Sequence, residues 1–405
     1  MNKGILAGLR VVEGSAFVAA PLGGMTLAQM GAEVIRFDPI GGGLDYGRWP
    51  LNQNGASLFW AGLNKGKKSI ALDLASPKGQ EIATALITAP GENAGLFLTN
   101  FPARGWLDYE RLKAKRADLV MLAVTGHHDG STAVDYTVNC AVGFPYVTGP
   151  ATEQEPVNHV LPAWDAITGV TAASGLLAAE RHRLKTGEGQ LVTLALSDVA
   201  YAMAGNLGFI GEVQVNGAER PRYGNYLYGG FGRDFTTRDG RRVMLIALTE
   251  RQWKSLLKST GLAAEAAALA ARLQLDLDDE GNRFRAREEI AGLLEPWIAA
   301  RDLAAAAAAL DATSACWGPY QSFAEMVAAD PRCSPANPMF KTVDHPGVGN
   351  VLTPGSPLAF ASHGRLDPQP APRLGAHTDE ILAELLGLSS GEIGRLHDEK
   401  VVAGP

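Results

Sequence analysis

The stretch Asn158-His-Val-Leu-Pro-Ala-Trp-Asp-Ala-Ile-Thr-Gly169 delivers one carboxylate, Asp165, to the start of a long run of small and apolar residues. The run from Ala166 to Arg183 predicts a helix. Pro162 stands ahead of it and Lys185-Thr-Gly-Glu-Gly189 closes it, matching the proline-before and cation-plus-glycine-after signals of helix ends. Asp165 is then expected at the N-cap, its side-chain oxygen accepting an N2 or N3 amide for about 1 kcal/mol. The same place suits a nucleophile, because unpaired amides and the positive end of the helix dipole keep a carboxylate ionised at neutral pH. Spacing alone favours the cap.

Other residues could meet a phosphorylated ligand. Asn100-Phe-Pro-Ala-Arg104 follows a predicted strand and offers an amide, an aromatic face and a guanidinium, the bidentate partner of phosphate. Asn64-Lys-Gly-Lys-Lys68 packs three lysines ahead of a strand. Such a cluster is most often a solvated turn, though basic residues there could also meet the nucleotide end of a ligand. Gly41-Gly-Gly43 lacks the spacing of a dinucleotide loop and opens no helix, so a flexible turn is the better account. His127-His-Asp129 reads as a polar loop rather than a metal site, since three consecutive residues cannot all face one ion in an extended segment.

The elements that must position these residues are legible in outline. Short β-rich runs at Leu9 to Glu13, Val34 to Phe37, Ser69 to Leu72, Leu96 to Thr99, Leu119 to Val124 and Gln190 to Leu196 alternate with helical patterns such as Pro21 to Met30. That alternation predicts an α/β fold with a parallel, Rossmann-like sheet covered on both faces. Ligands of such sheets bind beyond the carboxyl ends of the strands, where Gly14-Ser15-Ala16 follows the first one. A large domain is expected over 1–205 and a smaller α+β domain over 206–330. The latter carries a hairpin from Phe235 to Leu248 around Arg238-Asp-Gly240 and alanine-rich helices, including Ala304 to Ala309. A linker-like return, Pro331 to Pro372, leads to short helices at Asp379 to Leu386 and Ser390 to His397.

A net charge of -7 argues against nucleic acid or an anionic membrane as the main partner, since both call for a basic surface. Three cysteines, Cys140, Cys316 and Cys333, without C-x-x-C or metal spacing, indicate neither a disulfide framework nor zinc. A cytoplasmic location fits. Met1-Asn-Lys-Gly-Ile-Leu runs directly toward the first strand without a signal-like apolar core, and no apolar run has spanning length.

Several blocks together carry a resemblance. Gly8-Leu-Arg-Val-Val-Glu13, Ala19-Ala-Pro21, Leu27 to Asp38, Asn64 to Leu74, Thr99-Asn-Phe101, Thr186-Gly-Glu-Gly-Gln190 and Gly375-Ala-His-Thr-Asp-Glu380 stand in order nearly end to end. They resemble the family III CoA transferases, of the formyl-CoA transferase type. The resemblance implies that Asp165 is the catalytic nucleophile. It also implies CoA contacts at Phe17, Ala19, Leu72 (near the adenine), Asn100, Phe101 and Arg104, and a glycine-rich cover within Tyr226 to Gly232, with Tyr226, Gly229 and Gly230. It further implies an interlocked homodimer with the small domain inserted between two parts of the large one, and no cofactor or metal beyond the CoA of the substrate. The sequence departs from the family pattern at Pro39, where a basic residue is expected, and at Ala16 and Val18, which replace His and Gln.

Within the family, Glu13 to Gln29, Phe59 to Lys67, Thr99 to Trp106 and Asn225 to Gly230 look like members that move CoA between the two carboxyls of one C5 unsaturated dicarboxylic acid. The expected substrate is the CoA thioester of such an acid. Three other readings stand beside it. An intermolecular transferase would use the same Asp165. A 2-methylacyl-CoA racemase needs a His in a Gly-His-Asp segment, where this chain has Val134 within Ala133-Val-Asp-Tyr136. A CoA-binding module without turnover would leave Asp165 as a cap alone.

Overall fold

Six strands build the central sheet in the order β3-β2-β1-β4-β5-β6, all parallel: β1 (Arg10–Gly14), β2 (Glu33–Pro39), β3 (Lys68–Leu72), β4 (Leu96–Thr99), β5 (Val120–Thr125) and β6 (Leu191–Ala195). The computed structural model describes residues 4–405; Met1-Asn-Lys, part of the expected lead into the first strand, lies outside them. This order is that of a dinucleotide-binding sheet, and its reversal between β1 and β4 opens a crevice beyond their carboxyl ends. Strands β1 to β5 are buried runs rich in Val, Ile, Leu and Phe, as a sheet covered on both faces requires, while β6 is partly exposed at the edge.

The chain packs as two units. The first comprises 1–142, 160–210 and 330–405; the second comprises 143–159 and 211–329. The segment 143–159 therefore belongs with the second unit, although the sequence reading placed it in the large domain. In the second unit, β7 (Phe231–Thr236) and β8 (Arg242–Ala247) form the expected hairpin, and β9 (Cys316–Pro319) adds a third antiparallel strand. Helices follow over Glu250–Thr260, Ala263–Leu273, Arg287–Ala299 and Leu303–Asp311, the last containing the alanine run. Its core gathers Phe231, Phe235, Trp253, Ile290 and Leu294.

The return segment is not a bare linker. It contains a second hairpin, β10 (Phe340–His345) paired with β11 (Gly349–Pro354), which the glycines and prolines around it had disguised. The block Gly375 to Thr378 then seals the free edge of β3: the Gly375 amide donates to Ser69 Oγ, the Ser69 amide to His377 Nδ1, and the Ala71 amide to Thr378 Oγ1. A short antiparallel strand, β12 (Val402–Ala403), completes that edge. Covering an edge in this way removes a template for unwanted strand pairing.

Two helices of the first unit matter for chemistry, Ala19–Ala28 and Ala163–Thr186. The second buries Trp164, Thr168, Gly169, Ala172, Ala173 and Leu176, a helical stripe of mostly small side chains. Small residues let the two helices touch: a Cβ at Gly23 would lie 3.5 Å from Ala172 Cβ, and one at Gly169 only 2.7 Å from the Ala19 carbonyl oxygen. The contacts pair 19 with 169 and 23 with 172, so the helices run parallel and bring their N-termini to one end.

Candidate active site

The crevice at the β1–β4 reversal is lined by the loops that follow those strands, which a reciprocal pair of hydrogen bonds ties together. The Ala16 amide donates to Asn100 Oδ1 at 2.9 Å, and Asn100 Nδ2 donates to the Ala16 carbonyl at 2.8 Å. Thr99 Oγ1 adds a bond to the Gly14 carbonyl. The expected sites after β1 and β4 are thus one site. Next along the first loop, Phe17 holds φ +66°, a strained conformation for an aromatic residue and one that concentrates at functional positions.

Beneath this loop lies a buried ionic network. Arg36 donates to Asp38 (2.8 and 2.9 Å), Asp45 (2.9 Å), Asn64 Oδ1 (3.0 Å) and the Ser15 carbonyl (2.9 Å). Lys67 donates to Glu13 (2.8 Å), the Pro21 carbonyl (2.8 Å) and Asn64 Oδ1 (2.9 Å). Burial lowers the Lys67 ammonium to about 8, against the pull of Glu13. Because both cations bond to backbone carbonyls of the 15–21 stretch, the network fixes that loop's path. Here the sequence reading is corrected. Lys65 and Lys67 are only 6% and 3% exposed, so the cluster is no solvated turn, and Lys67 is fully engaged by the protein rather than offered to a nucleotide. Lys68 instead pairs with Glu33 and Glu380.

Asp165 sits in the first turn of its helix, not at the cap. The helix begins at Ala163 with Pro162 in the cap position, and no side chain of the cap residue bonds to it. The Asp165 carboxylate accepts no hydrogen bond among the described residues. The carboxylate that does the capping is Asp135, 2% exposed, whose Oδ2 accepts the amides of Trp164 (2.7 Å) and Asp165 (3.0 Å). Trp164 Nε1 donates to Asn139 Oδ1, which fastens the same turn a second time. The free amides at this helix end are therefore taken by Asp135, and those of Ile167 and Thr168, which an Asp165 cap would use, lie inside the helix.

The electrostatic consequence reverses the expected sign. Burial, and then the Asp135 charge, push Asp165 up to about 6, while Arg48 pulls the other way. At neutral pH the group is still mostly ionised, and a more basic carboxylate is a better nucleophile. Geometry and charge therefore give Asp165 the properties of a reacting group: unpaired, partly exposed and held on an anchored helix end.

The expected CoA contacts fare unequally. Both polar atoms of the Asn100 side chain are used on Ala16, so it shapes the crevice, and the Phe17 ring beside it in the first loop lies 5.6 Å from the Arg48 guanidinium carbon. Ala19 is buried against the helix of Asp165, its carbonyl facing Gly169. Phe101 lies edge-on to Phe37 at 6.1 Å and packs on the core. Leu72 must be corrected: it is 0% exposed inside the core, so its side chain cannot meet an adenine. Arg104 is exposed beyond β4, and its guanidinium makes no hydrogen bond or ion pair among the described residues.

Tyr226, Gly229 and Gly230 belong to the second unit. There Tyr226 Oη donates to Glu288 at 2.7 Å and accepts from Arg233 at 3.2 Å. The glycine-rich loop is shorter than expected, because Phe231 and Gly232 lie in β7. Together Tyr223, Asn225, Tyr226, Arg233 and Glu288 line a cavity of about 350 Å³. His127-His-Asp129 forms a polar turn, Asp129 accepting from Ser131. Among the described residues no cluster of His, Cys, Asp and Glu could hold a metal, and no helix is long and apolar enough to cross a membrane.

A dinucleotide-type sheet and an aspartate without a hydrogen-bond partner in the first turn of a helix are the parts of the site, and the sequence assigns their class. The chain belongs to CoA-transferase family III, which matches residues 6–378. It is 64% identical, over 100% of its length and 99% of the relative's, to 2-methylfumaryl-CoA isomerase of Chloroflexus aurantiacus. More distant relatives include succinyl-CoA:mesaconate CoA-transferase of Haloarcula hispanica, 29% identical over 96% of this chain and 98% of that one. Formyl-CoA:oxalate CoA-transferase of Rhodopseudomonas palustris is 27% identical over 99% and 98%. A CAIB/BAIF family protein of Brucella suis shares the fold, with TM-score 0.77 and 24% identity, covering 95% of this chain and 100% of that one.

Proposed function

We propose that this protein transfers CoA between the C1 and C4 carboxyls of one molecule, converting 2-methylfumaryl-CoA to its 3-methyl isomer. The observation that carries this is the 64% identity to 2-methylfumaryl-CoA isomerase across the whole chain. The site supports the chemistry. The Asp165 carboxylate attacks the thioester carbonyl, the C–S bond breaks, and CoA leaves as thiolate, giving a mixed anhydride. The thiolate then attacks the aspartyl carbonyl, releasing the dicarboxylate and leaving CoA on Asp165 as a thioester. The other carboxylate of the same acid attacks that thioester and expels CoA thiolate, which finally attacks the new anhydride at the substrate carbonyl. Asp165 is regenerated. Every bond exchanged joins Asp165, CoA and the acid, so the sequence of steps calls for no resident cofactor.

The parts played by protein groups follow from position. Asp135 holds the first turn that carries Asp165, and Asn100 and the buried network hold the loop facing it. The reading of Arg104 as a CoA-phosphate contact is supported by its exposure beyond β4 and by a guanidinium without a hydrogen-bond or ion-pair partner among the described residues. The covering role of Tyr226, Gly229 and Gly230 rests on the resemblance, and its use is to keep water from an anhydride. A homodimer is supported by Val170, Leu184, Tyr201 and Leu207, large apolar side chains exposed on the helices Ala163–Thr186 and Leu196–Asn206 and just beyond.

The test is turnover of the C1 ester alone. The C4 ester should form with no free acid present and at a rate independent of added acid. An absolute requirement for free acid favours the intermolecular reaction named for the Haloarcula hispanica relative.

A further inference from the structure

Arg48 gives the first unit an exposed cation close to the crevice loop. Its guanidinium forms no hydrogen bond and no ion pair among the described residues, and the residue is exposed. The group is nonetheless held. Its carbon lies 5.6 Å from the ring centre of Phe17 and 5.2 Å from that of Phe59, both within cation–π range. Its backbone is anchored as well: the Arg48 amide donates to the Asp45 carbonyl, and its own carbonyl accepts from Ser57 Oγ, the cap of the Leu58–Leu63 helix. Asp45 is in turn gripped by Arg36 in the buried network.

The two rings hold the guanidinium by cation–π attraction and use none of its N–H groups as hydrogen-bond donors to oxygen, and those N–H groups are the ones that engage a carboxylate. The location is also specific. Phe17 is the strained residue of the crevice loop, two positions before Ala19, whose carbonyl meets the helix of Asp165 one turn below the nucleophile. The charge of Arg48 is felt at Asp165 itself.

We propose that Arg48, held within cation–π range of Phe17 and Phe59, binds the carboxylate of the substrate that is not in the thioester, and so selects dicarboxylic over monocarboxylic acyl groups. This rests on the reading of Asp165 as nucleophile toward a dicarboxylic CoA ester. A mono-thioester of a dicarboxylic acid keeps one full negative charge, and an organic anion entering a crevice that already holds Asp165 and Asp135 needs a counter-ion there. Among the described residues, Arg48 is the cation that is both felt at Asp165 and left without a hydrogen-bond or ion-pair partner. Because rings and backbone already fix it, little rotamer freedom is lost when the carboxylate binds. In the intramolecular reaction the two carboxylates of the acid take turns at Asp165, and each in turn leaves the other for Arg48.

The experiment compares two thioesters of the same carbon skeleton in wild type, Arg48→Gln and Arg48→Lys. They are the C1 ester of 2-methylfumarate and 2-methylbut-2-enoyl-CoA, in which a methyl group replaces the distal carboxylate. The readout is the rate of CoA attachment to Asp165 at subsaturating ester, followed by intact-protein mass spectrometry. Losing a charge-assisted, two-point contact should lower the preference for the dicarboxylic ester about tenfold to a hundredfold in Arg48→Gln. The loss should appear mainly in KM, with partial recovery in Arg48→Lys. An unchanged preference in Arg48→Gln, or an equal loss for both esters, overturns the assignment. Failure of the wild type to acquire CoA on Asp165 from either ester overturns instead the reading on which it rests.

Discussion

Replacing Asp165 with Asn should abolish CoA transfer and at the same time stabilise the protein at neutral pH. The carboxylate accepts no hydrogen bond among the described residues, so the near-isosteric amide loses no partner. What it loses is a charge placed unfavourably. The rise from 3.8 to about 6 is caused first by burial and then by Asp135. Two units at ~1.4 kcal/mol each set a ceiling of about 3 kcal/mol on the cost of ionising Asp165 in the fold. Because the side chain is partly exposed, solvent screening leaves ~1–2 kcal/mol. The sign follows from proton binding. Between about pH 4 and 6 the folded state binds the extra proton, so wild-type stability declines as pH rises through that window and stays lower above it. The variant lacks this decline. At pH 7 its thermal midpoint should exceed the wild type by roughly 2–6 °C, with the difference closing toward pH 4. Differential scanning calorimetry at the two pH values, beside a turnover assay, is the check. A variant less stable than wild type at pH 7 would refute the electrostatic argument; one that still turns over would refute the nucleophile.

Asp135→Asn should keep one acceptor for the Trp164 and Asp165 amides while removing the charge beside Asp165, so the acid limb of the kcat/KM profile should move below pH 6. Asp135→Ala should cost about 1.5–3 kcal/mol of stability by orphaning those amides, read by denaturant titration. Arg104→Gln should raise KM for the CoA ester about fivefold at low ionic strength and less at high salt, as expected of an exposed phosphate contact; a salt-independent KM refutes it. Gly169→Ala places a methyl 2.7 Å from the Ala19 carbonyl, so it should destabilise by ~1–3 kcal/mol and lower kcat through displacement of the Asp165 turn.

The parts of the fold written in local pattern were legible. All six parallel strands, the Ala163–Thr186 helix with its glycine stop and the β7–β8 hairpin follow from apolar runs bounded by Gly and Pro. The β10–β11 hairpin was not, because there the same punctuation sits inside a hairpin and its strands are largely exposed. Asp165 stands out in the sequence as a candidate, but Asp135 does not stand out as its neighbour, since the bond spans 30 residues and no local spacing announces it. The one signal in the sequence is the carboxylate within Ala133-Val-Asp-Tyr136. Lys67 looked solvated for the same reason: Glu13, which makes its burial tolerable, lies 54 residues earlier. Arg48 stands in a glycine-rich connection with no periodicity, so only the fold brings it toward Asp165.

The central claim is that CoA moves within one acid molecule by way of Asp165. It is tested most directly by isomerising unlabelled C1 ester in an excess of ¹³C-labelled free 2-methylfumarate and following both esters by mass spectrometry. Retention of the released acid gives its second carboxylate a high effective concentration, so the C4 ester should appear essentially free of label. Label entering the C4 ester as fast as that ester forms would contradict the account.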